Sequence, residues 1–243
     1  IAKPAFSIAL GVAAVFSLAQ LFTGHHSAMG VSQHQPAKLA ALEGHYDSLA
    51  VADAYLFGWV DQQAQQVRGV GVPGGLSFML HGDAATPVRG LNSFAPGDRP
   101  RQVNAIFQVY HLMVAIGMTL IGLSWLGVLA WRRGWLFEKK WLLRAFVWSV
   151  LLPQIANQAG WFSAEMGRQP WVVYGLLRTS EAFSRTVTAN QVLFSLVLFA
   201  VAYLVLFVLF IYLLTRKIRH GPEEHPVAEG EEHSRRGNPL MKK

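Results

Sequence analysis

The chain has 243 residues, of which 52% are hydrophobic and only 14% are charged, so it is too apolar for an ordinary soluble domain of this length. Its net charge is +7, but the basic residues cluster beside apolar segments, which indicates membrane topology and not a nucleic-acid-binding surface. Cysteine is absent, which excludes disulfides, zinc-thiolate sites and iron–sulfur clusters formed by this chain alone.

Long apolar segments predict an all-α integral membrane protein. The predicted membrane-spanning helices cover residues 1–23, 104–131, 141–166 and 190–215. Between and after them lie a long loop (24–103), a basic loop (132–140), a second loop (167–189) and a polar tail (216–243) predicted to be disordered. The chain begins at Ile1 and enters an apolar helix without a cleavable signal pattern, so we interpret it as a four-transmembrane-helix portion of a larger helical bundle.

Short basic segments predict the orientation, because such segments stay on the cytoplasmic side. They contain Arg132, Arg133, Lys139, Lys140, Arg144, Arg216, Lys217 and Arg219. This rule places the tail in the cytoplasm and both longer loops outside.

Within the long loop, residues 35–46 read as a helix with Pro36 near its start, and residues 55–59 as an interfacial or strand-like piece. Lys38 and Glu43 lie on this predicted helix, five residues apart, which is not a good spacing for an ion pair. Two interpretations stay open: a solvated amphipathic turn, or a pair that contacts a polar headgroup and accepts protons. His25, His26 and His34 read as surface residues, with a metal site as the alternative.

The second span carries His111 and Met113 near its outer end. A thioether is a known axial ligand of haem iron, whereas ordinary packing is the alternative for any methionine in a helix. Two residues of separation put the side chains on nearly opposite faces, so they are not expected to bind the same atom.

A polar stripe runs along the third span. Gln154, Asn157, Gln158, Trp161 and Glu165 fall on one narrow face at 100° per residue. Lipid offers amides no hydrogen-bond partner, so this face should meet protein, water or a cofactor. The alternative for Glu165 is a solvated helix end with Arg168 reaching the interface.

These motifs resemble subunit I of the cytochrome bd-type quinol oxidases. The run 160–171, with Gly-Arg-Gln-Pro-Trp at its core, is similar to the family signature. The run 33–43 resembles the start of its quinol-binding loop, and 112–114 its low-spin haem helix. The runs occur in the family order, and the resemblance extends through all four spans. No phosphate-binding loop or hydrolase motif appears, which disfavours nucleotide-driven and hydrolytic functions.

The resemblance implies a role for each motif. Met113 would be an axial ligand of a low-spin haem b, and Glu165 the ligand or close partner of a high-spin haem b. The neighbourhood of the haems would include His111, Trp161, Arg168, Gln169 and Trp171. Lys38 and Glu43 would bind and oxidise quinol, and the electrons would reduce O2 to water.

The resemblance also implies partners and a location. The partners would be the remainder of subunit I, subunit II, small single-span subunits and membrane lipid, in a bacterial inner membrane. The compact long loop resembles the short-loop members, a group that includes cyanide-insensitive enzymes. In that group the oxygen-reducing haem is haem d or a further haem b, and both stay open here.

Two departures from the family pattern qualify these expectations. The family's histidine ligands lie in its N-terminal helices, and this chain begins after the corresponding point. His111 stands where many members have arginine, which is permanently charged, whereas histidine is not. The alternative function is a non-redox membrane transporter or scaffold with a polar pocket, although the paired broken helices or repeats typical of transporters are absent from the sequence.

Overall fold

The computed structural model describes residues 2–48, 51–184 and 186–221. The helices of this part are α1 (Ala2–His34), α2 (Pro36–Leu42), α3 (Gly75–His81), α4 (Val103–Arg132), α5 (Lys140–Ser149), α6 (Leu152–Arg168) and α7 (Ala189–His220). Two antiparallel hairpins join β1 (Ala54–Asp61) to β2 (Gln66–Val72) and β3 (Trp171–Val173) to β4 (Leu177–Arg178). The architecture is therefore mostly helical, as predicted, and the hairpins lie in the two longer loops. The predicted strand-like piece at 55–59 is part of β1.

Three of these helices, α1, α4 and α7, contain stretches long and apolar enough to cross a membrane. The bounds of α4 agree with the predicted span within one residue. The first helix instead runs eleven residues past the predicted end at residue 23. The drop in hydropathy there does not stop a helix, because no proline occurs until Pro36, where α2 begins after a one-residue break.

The third predicted span, 141–166, is not one continuous helix. It is divided between α5 and α6, with Val150 and Leu151 in a turn. Pro153 explains the break, since it has no N–H to donate and its ring conflicts with the carbonyl four residues earlier. The second part, α6, has 17 residues, somewhat fewer than the ~20 that cross the hydrocarbon core.

The polar face of α6 points away from its packing face. Ala159, Ser163 and Gly167 are buried and lie four residues apart, so they form one small-residue face. The stripe residues Gln154 and Trp161 are exposed on the opposite face, about 180° away at 100° per residue. The described part of the chain therefore leaves the polar stripe uncovered.

The main core lies where α2, the first hairpin and the start of α4 meet. Ile106 and Phe107 of α4 are fully buried there, together with Ala40 and Ala41 of α2 and Val60 of β1. This core fixes α2 against α4 and so determines where the side chains of α2 point.

Three polar side chains of α4 hold the first hairpin in place. Asn104 Oδ1 accepts from the Val60 N–H at 3.0 Å, and Gln108 Nε2 donates to the Gly58 carbonyl at 2.6 Å. His111 lies one turn further, with Nε2 2.9 Å from the Tyr55 carbonyl. Since residues 104, 108 and 111 share one helix face, they clamp the whole of β1.

The described residues from Ser184 onwards belong to a separate compact unit. Its helix α7 begins with a capping box between Thr188 and Gln191, which satisfies N–H groups at the helix start. None of its 32 residues is buried, and basic residues occupy its last turn. Residues 222–243, which contain most of the tail predicted to be disordered, lie outside the described residues.

Candidate functional site

Lys38 is the residue that joins the two predicted motifs. It lies on α2 and is half-buried, and its side chain packs on Gly167, where a Cβ atom would stand 3.1 Å from Lys38 Cγ. Burial lowers the pKa of Lys38; the charge of Arg168 lowers it further, and that of Glu165 raises it. The start of the predicted quinol loop and the end of α6 therefore form one electrostatic site, although about 130 residues separate them.

Glu43 is buried at the C-terminal end of α2, with only 7% of its surface exposed. This burial excludes the solvated-turn interpretation for Glu43. Removal from water raises the pKa of Glu43 to about 7, and a hydrogen bond from Tyr110 opposes part of that rise. A carboxyl group with a pKa near neutral exchanges protons readily at physiological pH.

Lys38 and Glu43 do not pair with each other. They lie about 140° apart around α2, at 100° per residue, so Lys38 faces α6 and Glu43 faces Tyr110 of α4. The two predicted quinol residues therefore act on different sides of the same short helix.

Tyr110 was not among the predicted site residues. Its position before His111 offered one signal, since a tyrosine hydroxyl in an apolar helix needs a hydrogen-bond partner. That partner is the Glu43 carboxylate.

We expect Tyr110→Phe to raise the pH at which the Glu43 carboxyl group loses its proton. The Tyr110 hydrogen bond stabilises ionised Glu43, so its removal raises the pKa of Glu43 above about 7. The pH at which the protonated-carboxyl C=O band of Glu43 disappears from the infrared spectrum of the protein should therefore rise. The control is Tyr55→Phe, which removes a hydroxyl from a residue packed on the same core. An unchanged pH profile in Tyr110→Phe, or an equal shift in both variants, would contradict this role.

Glu165 and Arg168 form an ion pair one turn apart at the end of α6, and both side chains are about 39% exposed. The guanidinium thus neutralises the charge of the Glu165 carboxylate locally. Trp161, 58% exposed, lies on the same face one turn earlier. The carboxylate, the guanidinium and the indole thus share one open surface of α6.

Met113 lies on α4 with its sulfur against the backbone of α6. A Cβ at position 160 would stand 2.6 Å from Met113 Sδ, so the thioether would have to shift to admit any larger residue there. Gly160 lies about 120° around α6 from the polar stripe, at 100° per residue. Met113 and Glu165 therefore belong to two separate places on the helix pair.

His111 is held by two backbone carbonyls. Its Nδ1 lies 2.8 Å from the Phe107 carbonyl, and its Nε2 lies 2.9 Å from the Tyr55 carbonyl. A neutral ring has one N–H, so it donates to one of these carbonyls while its other nitrogen faces the second, and neither nitrogen is turned towards an open position for iron. The predicted position of His111 near a cofactor would therefore allow contact through the ring but not coordination of iron.

Gln169 and Trp171 lie away from the polar stripe. Gln169 Oε1 accepts from the Thr179 hydroxyl at 2.7 Å. The Trp171 indole, at the start of β3, lies under the Arg178 guanidinium at 4.7 Å and edge-on to Tyr174. Both predicted residues thus belong to the second loop, beside the first turn of α2.

Two cavities border this region. The smaller has a volume of about 20 Å³ and lies between the start of α2 and the residues after α6, with Lys38 in its wall. The larger, of about 410 Å³, lies between residues 96–102 and the end of α6. Only the larger has the volume of an aromatic ligand, and neither Lys38 nor Glu43 lines it.

The described residues fit haem better than a bare metal ion. No group of three or more His, Asp or Glu side chains is arranged to hold a metal within the described ranges, and His25, His26 and His34 are exposed. A tetrapyrrole brings four nitrogen ligands and needs only axial ligands and a flat surface from the protein. Met113 and Glu165 offer such ligands, and the open face of α6 offers the surface.

Long apolar helices define a membrane protein, and its charged site links a loop helix to a polar helix. The chain belongs to the cytochrome bd terminal oxidase subunit I family, whose model matches residues 1–222.

Relatives and a solved structure agree with this family. The chain is 32% identical to the cytochrome bd ubiquinol oxidase subunit 1 of Bacillus subtilis, over 91% of this chain and 49% of that protein. It is 34% identical to a putative cytochrome bd menaquinol oxidase subunit I of the same organism, over 93% of this chain and 50% of that protein. The structure of the bd oxidase from Geobacillus thermodenitrificans matches 90% of this chain and 50% of that chain, with a TM-score of 0.72 and 31% identity. The chain thus spans about half the length of these relatives.

Proposed function

We propose that this chain is the part of a terminal respiratory oxidase that oxidises membrane quinol on the outer side and carries ligands for two haems. The observation that carries the proposal is the contact between Lys38 and Gly167, beside Glu165 and Arg168. It puts the proposed quinol residue next to the helix end that would support a haem, so electrons have a short path. The relatives named above are quinol oxidase subunits, which supports the same reaction.

The proposed reaction is balanced by two quinols for each O2, which give two quinones and two waters. Each quinol loses two electrons and two protons. Glu43 would accept a quinol proton, because its pKa of about 7 allows it to take up and release protons near neutral pH. Lys38 would bind a quinol oxygen, and the lowered pKa of its ammonium group makes proton exchange easier.

The haem sites would use the two separate places on α4 and α6. Met113 would ligate a low-spin haem b, and Glu165 would ligate or adjoin a high-spin haem b, with Trp161 against it. Arg168 would balance negative charge at Glu165, as its ion pair supports. Bound haem would supply one-electron carriers and an oxygen-binding iron; the oxygen-reducing haem would be haem d or a further haem b.

The rest of the site would come from other chains or segments. The exposed stripe of α6 supports this, because amides facing lipid have no partners. The partners would be the remainder of subunit I, subunit II and small single-span subunits, in a bacterial inner membrane. The long loop would lie outside and the tail in the cytoplasm.

A reduced-minus-oxidised optical spectrum of the purified complex tests the proposal. We expect bands of low-spin and high-spin haem, together with O2 consumption driven by quinol. A complex without haem bands would overturn the oxidase function and would favour the non-redox transporter or scaffold.

We expect Glu165→Ala to remove or shift the high-spin haem bands while the low-spin bands and membrane insertion persist. The variant deletes the proposed ligand and leaves Arg168 without its ion-pair partner. Glu181→Ala is the matched control, since Glu181 is an exposed carboxylate of the second loop. If Glu165→Ala and its control give the same spectrum as the unchanged complex, Glu165 is not at a haem.

A further inference from the structure

The smaller cavity has a size that restricts its occupant. Its volume is about 20 Å³, and one water-sized group needs roughly 10–15 Å³ by the same measure. The cavity therefore accepts a single oxygen-bearing group and excludes a ring. Its walls come from the first turn of α2, the residues 98–100 and the residues that follow α6.

Two residues that line this cavity each have a buried polar atom without a hydrogen-bond partner in the described part of the chain. These atoms are Gln35 Oε1 and Trp171 Nε1. Buried polar atoms are almost always paired, so two such atoms in one small cavity point to a shared partner. The amide oxygen only accepts and the indole nitrogen only donates.

The two atoms select one kind of chemical group. A hydroxyl accepts from Trp171 and donates to Gln35 at the same time. A carbonyl or a fully ionised anion has no proton to donate to Gln35, and a cation is repelled by the indole N–H and by Lys38. A neutral O–H group satisfies both atoms.

The wall is held rigidly around that position. Arg178 lies over the Trp171 ring and is itself paired with Asp98, so the indole N–H keeps its direction. Lys38 is held against Gly167 on the other side. Because these side chains are already held in place, binding to them costs little conformational entropy.

We propose that Gln35 and Trp171 together bind one hydroxyl oxygen, of a water molecule or of a quinol headgroup, beside Lys38. The quinol source rests on the proposed function, whereas the water source does not. In either case Gln35 and Trp171 bind the group that lies beside Lys38. Trp171 then donates its N–H to the hydroxyl and does not contact a haem.

A high-resolution map of the intact complex tests this directly. We expect density for one oxygen within hydrogen-bonding distance of both Trp171 Nε1 and Gln35 Oε1. Maps with and without a short-chain quinol distinguish the sources: density in both identifies water, and density only with quinol identifies the headgroup. If neither map has the oxygen, or the two side chains bond each other directly, the proposal is overturned.

A double-mutant cycle tests it independently. Trp171→Phe and Gln35→Leu should each lower kcat/KM for the short-chain quinol roughly five- to ten-fold, because each removes one hydrogen bond to the same oxygen. The kcat/KM of the double variant should be no lower than that of the less active single variant. Losses that multiply in the double variant would overturn the shared site, and no loss in either single variant would overturn the quinol headgroup as its occupant.

Matched controls and spectra separate this result from the proposed function. Trp59→Phe and Gln63→Leu make the same substitutions at exposed positions outside the cavity and should leave kcat/KM unchanged. Haem bands should be normal in every variant; a complex without them at all refutes the oxidase function but leaves the water-density test in force. If the Trp171→Phe complex does not assemble, the map of the Gln35→Leu complex remains as the test, and it should lack density for the oxygen.

Discussion

Met113→Leu is expected to abolish the low-spin haem signal in the reduced-minus-oxidised spectrum of the complete complex. Leucine has nearly the volume of methionine, so the packing against Gly160 changes little. The free energy of unfolding should therefore fall by less than about 1.5 kcal/mol. What the variant removes is the sulfur, which is the only atom of the side chain able to coordinate iron. High-spin bands should persist, because Glu165 lies on a different face of α6.

Met118→Leu is the control for this prediction. Met118 lies five residues further along α4 and is 56% exposed, so it makes the same chemical change on the same helix. Its spectrum should be that of the unchanged complex. An intact low-spin signal in Met113→Leu would remove Met113 as an axial ligand.

Glu43→Gln should lower quinol oxidation by roughly 10²-fold or more, the usual contribution of a positioned acid–base group. Electron entry from an artificial donor that bypasses the quinol site should change much less. Glutamine keeps the shape of the buried side chain and can still contact Tyr110, but it cannot take up a proton. Equal loss with both donors would count against a role for Glu43 in quinol oxidation.

The same substitution should increase stability at alkaline pH. Burial raises the pKa of Glu43 from 4.5 to about 7, so the folded state binds this proton more tightly than the unfolded state does. The stabilisation from the bound proton is complete below pH 4.5 and is lost as pH rises through 7, a difference of roughly 3 kcal/mol. Glutamine does not ionise, so the Glu43→Gln variant does not lose this stabilisation as the pH rises.

Thermal unfolding of the complex at pH 5 and pH 8.5 measures this effect. Glu43→Gln should gain stability over the unchanged complex mainly at pH 8.5. The exposed Glu138 supplies the control variant, Glu138→Gln, which should gain nothing at either pH. A gain that does not depend on pH would show that ionisation of Glu43 is not its cause.

The helices show which parts of the fold follow from sequence. A long apolar run with polar flanks predicts α4 almost to the residue, because hydropathy and helix formation change together there. Hydropathy and helix formation do not change together at the end of α1, because the more polar residues after position 23 remain helical. The break before α6 follows from the chemistry of Pro153, but the apolar pattern continues across it and conceals the turn.

The candidate site was predictable in its parts and not in its assembly. The stripe on α6 follows from spacing alone, and its exposure agrees with that spacing. The contact between Lys38 and Gly167 joins segments distant in sequence, and no local pattern encodes it. The burial of Glu43 has the same origin, since it depends on the packing of α2 against α4.

The uncovered stripe of α6 has a consequence for biogenesis. A helix that presents amides and a carboxylate to lipid is unfavourable until another surface covers it. Newly inserted chains would therefore depend on the timely arrival of the covering helices and prosthetic groups.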